Sequence, residues 1–432
     1  MRGHLTELEG VPLSPDEAFL IAARRVEALD EALSAIARAP EDHKHEEPDL
    51  APETPGRLWR RLGLGPEAAD PRARSEFFTM ARLTVAAAVA IKAPEIFGAG
   101  LESDTEFYAR NLGLLVLPFL AGYFAWKRRL HRRSLALVAT AFAAPAVFVN
   151  AYPFDGGRGA SDTEILAALH LPILLWLVVG IAHAGGDWRS HDRRMGFVRF
   201  TGEWLIYYGL IALGGGVFAG STAGIFSAIG LDVGEFIGLW LVPCGAAGAV
   251  VVAAWLAESR QGVLERLAPV LTRLFTPLFA ALLLAFLVAM AVTGRGIDLG
   301  RGVLIFFDVL LALILGLVIY SIAARDRRAP PGLFDILLIV LIGAALLVDV
   351  LVLGAIAGRL SDFGTTSNRI AAVGENLVLL GNLAWSAWLY AGFLRDRRPF
   401  SALERWQTAY APVYAVWAAV VVVALPPIFG FA

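Results

Sequence analysis

The stretch Leu333-Phe-Asp-Ile-Leu-Leu-Ile-Val-Leu-Ile-Gly-Ala-Ala-Leu-Leu-Val-Asp-Val-Leu-Val-Leu-Gly-Ala355 holds two carboxylates in an otherwise apolar run. A helix needs about 20 mostly apolar residues to cross roughly 30 Å of hydrocarbon, and this run is long enough. It does not alternate polar and apolar positions as a barrel strand would. Ten further runs read the same way: Phe77–Phe97, Asn111–Trp126, Ser134–Tyr152, Glu164–His183, Gly202–Gly220, Phe236–Ala257, Leu274–Thr293, Val303–Ala323, Ile370–Leu394 and Tyr410–Phe429. Lipid cannot satisfy bare backbone, so each crossing must close its own hydrogen bonds. The expectation is an all-α fold, a polytopic transmembrane helix bundle of about eleven spans.

Composition agrees. Hydrophobic residues make up 57% of the chain and charged residues 18%, against roughly 25% charged in soluble domains. Mean hydropathy is +0.63. A soluble core of that size would outrun its polar coat, whereas lipid solvates apolar outer faces. A net charge of −2 supplies no basic field for nucleic acid. The single cysteine, Cys244, excludes an intrachain disulfide and a cysteine-cluster metal site.

Basic residues alternate by side. The loops around 127–133, 189–199, 260–273, 325–328 and 395–405 carry nineteen Lys and Arg, and the intervening loops carry seven. The positive-inside rule then predicts the N-terminus inside and the C-terminus outside. Three of the basic loops share an Asp-Arg-Arg step, Asp192–Arg194, Asp326–Arg328 and Asp396–Arg398. The reading is that each follows a helix C-terminus, where cations oppose the dipole and stop translocation.

Residues 1–56 read as a cytoplasmic acidic arm. Ser14-Pro15-Asp16-Glu17 is a helix start with a capping box. The helix over 14–39 places Phe19, Ala22, Val26, Leu29, Leu33 and Ile36 on one stripe. Such a stripe needs a docking surface, on the same chain, a second copy or a protein partner. An acidic, proline-containing linker follows; its His43 and His45 lack a third ligand and read as solvated. Residues 57–75, with Trp59 among arginines, read as an interfacial juxtamembrane segment, and 76–432 as the transmembrane domain.

Chemistry is sought among ionisable residues inside the spans. A charge facing lipid costs roughly 2.5–3.5 kcal/mol or more, so such groups turn inward and pair. Lys92, with Glu95 nearby, His170, Asp308, Asp349 and Glu375 fall at similar depth on five spans, together with Asn376 and the deeper Asn382. The functional reading is an outward-facing polar cavity in which Lys92 neutralises a carboxylate and His170 shares a proton with another. The structural reading is a set of local pairs that hold helices together. Asp349 stands out because no other polar residue lies within a helical turn of it.

Two further features bear on backbone shape. Gly214-Gly-Gly216 followed by the small, uncharged stretch Gly220–Gly230 reads either as a re-entrant segment over 221–235 or as close helix packing. Pro118, Pro145, Pro172 and the Pro243-Cys-Gly245 step fall inside spans and are expected to bend or break them. Phosphate-binding glycine loops, zinc-protease helices and nucleophile elbows are absent, so no catalytic residue, cofactor or metal is assigned.

The stretches Val242-Pro-Cys-Gly-Ala-Ala-Gly248, Leu271-Thr-Arg-Leu-Phe-Thr-Pro277, Pro330-Pro-Gly-Leu-Phe-Asp335, Gly374-Glu-Asn-Leu377, Asn382-Leu-Ala-Trp385 and Leu403-Glu-Arg-Trp-Gln-Thr-Ala-Tyr410 are similar to a bacterial multi-pass family known as domain of unknown function 4153 (DUF4153). The resemblance covers roughly Glu76 to the C-terminus. It implies a bacterial inner-membrane helical bundle and brings no activity, substrate or site residue. Two function classes stay open. One is a carrier or channel for an ion, small solute or lipid. The other is a non-catalytic scaffold or sensor acting through the 14–39 helix.

Overall fold

The computed structural model describes residues 71–154, 160–259, 261–294, 301–327 and 329–432. The 14–39 helix, the linker and most of the juxtamembrane segment lie outside the described residues. Among the described residues, eleven helices are long and apolar enough to cross a bilayer, as expected of a multi-pass membrane protein. They are α1 (Pro71–Lys92), α2 (Thr105–Lys127), α3 (Arg132–Ala151), α4 (Asp162–His183), α5 (His191–Ala228), α6 (Gly234–Ser259), α7 (Gln261–Thr293), α8 (Arg301–Ala324), α9 (Leu333–Phe363), α10 (Ser367–Leu394) and α11 (Ser401–Ile428).

Local chemistry starts these helices. Asp104, Ser161, Ser190 and Thr366 each accept a backbone N–H of the first turn of α2, α4, α5 and α10, donors the helix itself leaves open. Asp335 closes the start of α9 by accepting the Gly332 N–H at 2.8 Å.

In α5 one open alternative is decided and one expectation is corrected. Its helix runs unbroken for 38 residues from His191 to Ala228, so the small-residue stretch continues the helix and does not re-enter. Nothing interrupts its i to i−4 ladder, since glycine weakens a helix without removing a donor. The Asp192–Arg194 step sits in the first turn of α5, not beyond a C-terminus. Asp192 there complements the dipole.

Helix ends gather by side as the basic loops predict. At the arginine-rich end Glu258 of α6 meets Arg128 at 2.9 Å and Lys127 at 3.2 Å from α2, and His183 Nε2 of α4 at 3.3 Å. Lys127 also pairs with Glu76 of α1. Arg325 Nε reaches Asp335 at 2.8 Å, and the Tyr390 hydroxyl donates to the same carboxylate at 2.6 Å. At the opposite end Arg110 of α2 meets Glu164 of α4 at 3.0 Å.

Among the described residues two large apolar cores result, with a small third cluster of Leu166, Ala371, Val421 and Leu425. One is built from α1 to α6, around Leu120, Phe124, Leu175 and Val251. The other is built from α7 to α11, around Leu311, Ile314, Leu341 and Leu383. Helix α11 joins them: Leu403 belongs to the second core, while Val422 belongs to the first.

Prolines explain much of how the helices are tied. A proline inside a helix leaves the carbonyl four residues earlier without its donor. Pro243 frees Leu239, whose carbonyl takes Lys92 Nζ at 3.0 Å. Pro412 frees Thr408, whose carbonyl takes Arg194 Nη1 at 2.7 Å. Pro427 frees Val423, whose carbonyl takes the Tyr152 hydroxyl at 2.8 Å. Helices α6 and α11 widen into π turns over Ile237–Leu241 and Val420–Ala424 beside two of these prolines. Tyr152→Phe should therefore cost about 1 kcal/mol of stability. In a Pro427→Ala background, where a backbone N–H returns to Val423, the same change should cost close to nothing. Thermal unfolding of the four proteins in detergent, read as a double-mutant cycle, checks this; equal costs in both backgrounds would refute it.

Candidate functional site

The second core encloses carboxylates that no cation meets. Helix α8 carries Asp308, α9 carries Asp349 and α10 carries Glu375 and Asn376. Asn376 Nδ2 donates to Asp308 Oδ1 at 2.8 Å and to the carbonyl of Ala372 at 2.8 Å. Its Oδ1 is buried without a partner. Asp349 is 0% exposed and neither of its carboxylate oxygens has a hydrogen-bond partner. Asp308 lies within electrostatic range of Asp349, and Glu375 within range of Asp308. Val348 and Val352 flank Asp349 in the core, and Leu311 and Leu379 belong to it.

That arrangement has a clear chemical consequence. An ionised carboxylate in apolar surroundings is tolerated only when paired, metal-bound or protonated. No ion pair reaches Asp308, Asp349 or Glu375 among the described residues, and no group of three His, Cys, Asp or Glu side chains there is placed to hold a metal ion. Protonation gives Asp349 a route to neutrality that needs no partner.

The other residues expected at this level go elsewhere. Lys92 is in the first core, paired with Glu95 and lying 4.3 Å over the Trp240 ring. It neutralises a carboxylate, but one of its own helix end. Burial of His170 in α4 goes with a local bond: its Nδ1 lies 2.9 Å from the Leu166 carbonyl, which keeps the proton on that nitrogen. Among the described residues no carboxylate is hydrogen-bonded to it. Asn382 donates to Gln407 at 3.0 Å and accepts from Ser386 at 3.1 Å, and Gln407 donates to Ser386 at 2.7 Å. This closed, fully buried ring ties α10 to α11. Asn111 and Asn150 tie α2 to α3 in the same way, at 2.8 and 2.9 Å.

A second polar centre was not anticipated as a site. Where the two cores meet at the arginine-rich end, Arg327 Nε donates to Glu404 at 2.8 Å, and Arg199 Nη2 stands 4.0 Å from the same carboxylate. The hydrogen bond and charge of Glu404 hold the Arg327 guanidinium above its ordinary pKa. Arg199 Nε donates to the Ala323 carbonyl at 2.6 Å, and His191 Nδ1 is 2.6 Å from the Thr408 hydroxyl. The signal available in the sequence was an acid, Glu404, inside the basic loop 395–405 and six residues before the apolar run Tyr410–Phe429.

Comparison of the chain with protein-family models, with curated proteins and with solved structures finds no match.

The two kinds of buried polar residue should behave oppositely. Asn382→Leu strands Gln407 and Ser386 and should cost about 1–3 kcal/mol. Asp349→Leu removes a buried carboxylate that nothing satisfies and should leave stability unchanged or raise it by about 1 kcal/mol or more. Denaturation of the detergent-solubilised variants measures both; a large loss with Asp349→Leu would mark that residue as structural.

Proposed function

We propose that this chain is a carrier of the bacterial inner membrane whose transport step is linked to protonation of Asp349, with Asp308 and Asn376 as its partners. The observation that carries this reading is the buried Asp349 carboxyl with both oxygens unpartnered. Intramembrane acids are costly and are concentrated on proton and ion pathways. A group kept only to hold helices together is expected to be satisfied, as Asn382 and Asp335 are. The unsatisfied one stores free energy that a change of protonation or hydration releases. A proton suits the site better than a divalent cation, which requires about six or more oxygen ligands. The arginine distribution supports placing the carboxylates in the half of the bundle away from the cytoplasm. The cell location follows from the DUF4153 resemblance and is part of the same proposal.

A transport path must admit water to these carboxyls in at least one state. In a Cys244→Ala background, Asp308→Cys, Asp349→Cys and Glu375→Cys are each probed in intact cells with a membrane-impermeant maleimide. The expectation is labelling at 308 and 375, and slower labelling at 349 that changes with external pH. Protection of all three, in protein that keeps its thermal midpoint, would overturn the carrier reading. A cellular phenotype that survives Asp349→Asn but is lost on deleting residues 1–55 would point instead to a scaffold.

A further inference from the structure

A cavity of about 190 Å³ opens at the arginine-rich end, where the two cores meet. His191 and Asp192 enter it from the start of α5, Arg327 from the α8–α9 connection, and Ser401, Glu404 and Arg405 from the first turn and a half of α11, with Met195 buried behind them. It therefore has walls from both halves of the protein.

Its charges are unequal in number and in use. Two acids are present, Glu404 and Asp192. Glu404 is engaged by Arg327 at 2.8 Å and faced by Arg199, and Asp192 is exposed to solvent and 3.5 Å from Arg327. Arg194 of the same α5 turn is committed to the Thr408 carbonyl and lies over the Trp188 ring. The Arg405 side chain is exposed and, among the described residues, makes no hydrogen bond or ion pair. Four arginines thus surround two acids, and the one without a partner lines the cavity. Ser401 offers a hydroxyl on the same wall, and His191 a ring already anchored to Thr408. All of these residues sit at helix ends, the level at which phospholipid headgroups lie. Basic pockets between transmembrane helices at that level suit anionic headgroups.

We infer that this cavity binds the phosphate of an anionic phospholipid, with Arg405 and Arg327 as its cationic ligands and Ser401 as a hydroxyl donor. A guanidinium recognises phosphate through paired charge-assisted hydrogen bonds. The bound headgroup bridges α11 to the α8–α9 connection, in a cavity whose other wall is the start of α5. The inference is independent of the carrier reading, because the site lies at the other end of the helices from Asp308 and Glu375.

The test uses the full chain in phosphatidylcholine nanodiscs with increasing phosphatidylglycerol. Retained lipid is read by native mass spectrometry and stability by the thermal midpoint. The expected result is tight retention of phosphatidylglycerol with a rise in midpoint. Arg405→Gln should weaken retention about tenfold, the loss of one charged contact. Arg132→Gln, at an exposed arginine on the same face, should leave it unchanged. Arg405 is exposed and unpaired, so its replacement does not threaten folding, and an unchanged midpoint in pure phosphatidylcholine verifies that. Equal weakening by both substitutions would reduce the effect to surface charge, and no weakening by Arg405→Gln would remove the site; either overturns the inference. Inorganic phosphate at millimolar concentration raising the midpoint in pure phosphatidylcholine, in an Arg405-dependent way, would overturn the lipid as its source.

Discussion

Lipid offers no hydrogen bonds, and every backbone carbonyl deprived of its donor must find one inside the protein. At three of the prolines within its spans this chain supplies the missing donor from another helix. Lys92 answers the gap left by Pro243, Arg194 that of Pro412 and Tyr152 that of Pro427. Each repair is also a cross-link: α1 to α6, α5 to α11, and α3 to α11. The two links to α11 tie its two ends to the first core, while Leu403 anchors it in the second. A defect in one helix thus fixes where its neighbour sits. Loss of a donor would leave a buried carbonyl unmet, which costs more than the bond itself contributes.

Side-chain charges follow the same accounting with one exception. At the arginine-rich end Glu258, Asp335 and Glu404 are each nearly buried and each meet an arginine. Asp335 gathers Arg325, Tyr390 and its own helix start around one carboxylate. Lys92 and Glu95 satisfy each other. Asp349 alone among these acids combines complete burial with two unpartnered oxygens. The contrast matters more than the burial, because the chain evidently can build satisfied acids and does so at many positions.

Much of the architecture was legible in the residues. Eleven apolar runs marked eleven helices, since span length and backbone closure leave few options. The limits lay where local pattern underdetermines geometry. The glycines from 214 to 224 suggest an irregular segment, yet none removes a backbone donor, so α5 continues through them. Depth along a helix can be counted from sequence, but azimuth around the bundle cannot. Lys92, His170 and Asp308 share a level and still belong to different surroundings, with Lys92 in the first core and Asp308 in the second. Asp308, Asn376 and Asp349 do come together because α8, α9 and α10 pack on one another. Glu404 and Arg405 are adjacent in sequence, and the approach of Arg327 from the α8–α9 connection to α11 makes one a satisfied acid, while the other's side chain has no partner among the described residues.

Exposure grades the three carboxylates in a way that constrains any path to Asp349. Glu375 and Asp308 are partly accessible, and Asp349 is not accessible at all. Electrostatic contact runs in the same order, from Glu375 to Asp308 and from Asp308 to Asp349. Along α9 itself the next core positions toward the arginine-poor end, Val352 and Ile356, are buried and apolar. They offer no relay for a proton. Under the carrier reading, Asp349 must then exchange with water through Asp308 and across α8 and α10, not along its own helix. Asn376 bridges those two helices at that point, with one hydrogen bond to Asp308 and an idle oxygen. Turning the carboxamide would offer that oxygen to a protonated neighbour, so its orientation and the charge state of the pair are necessarily coupled.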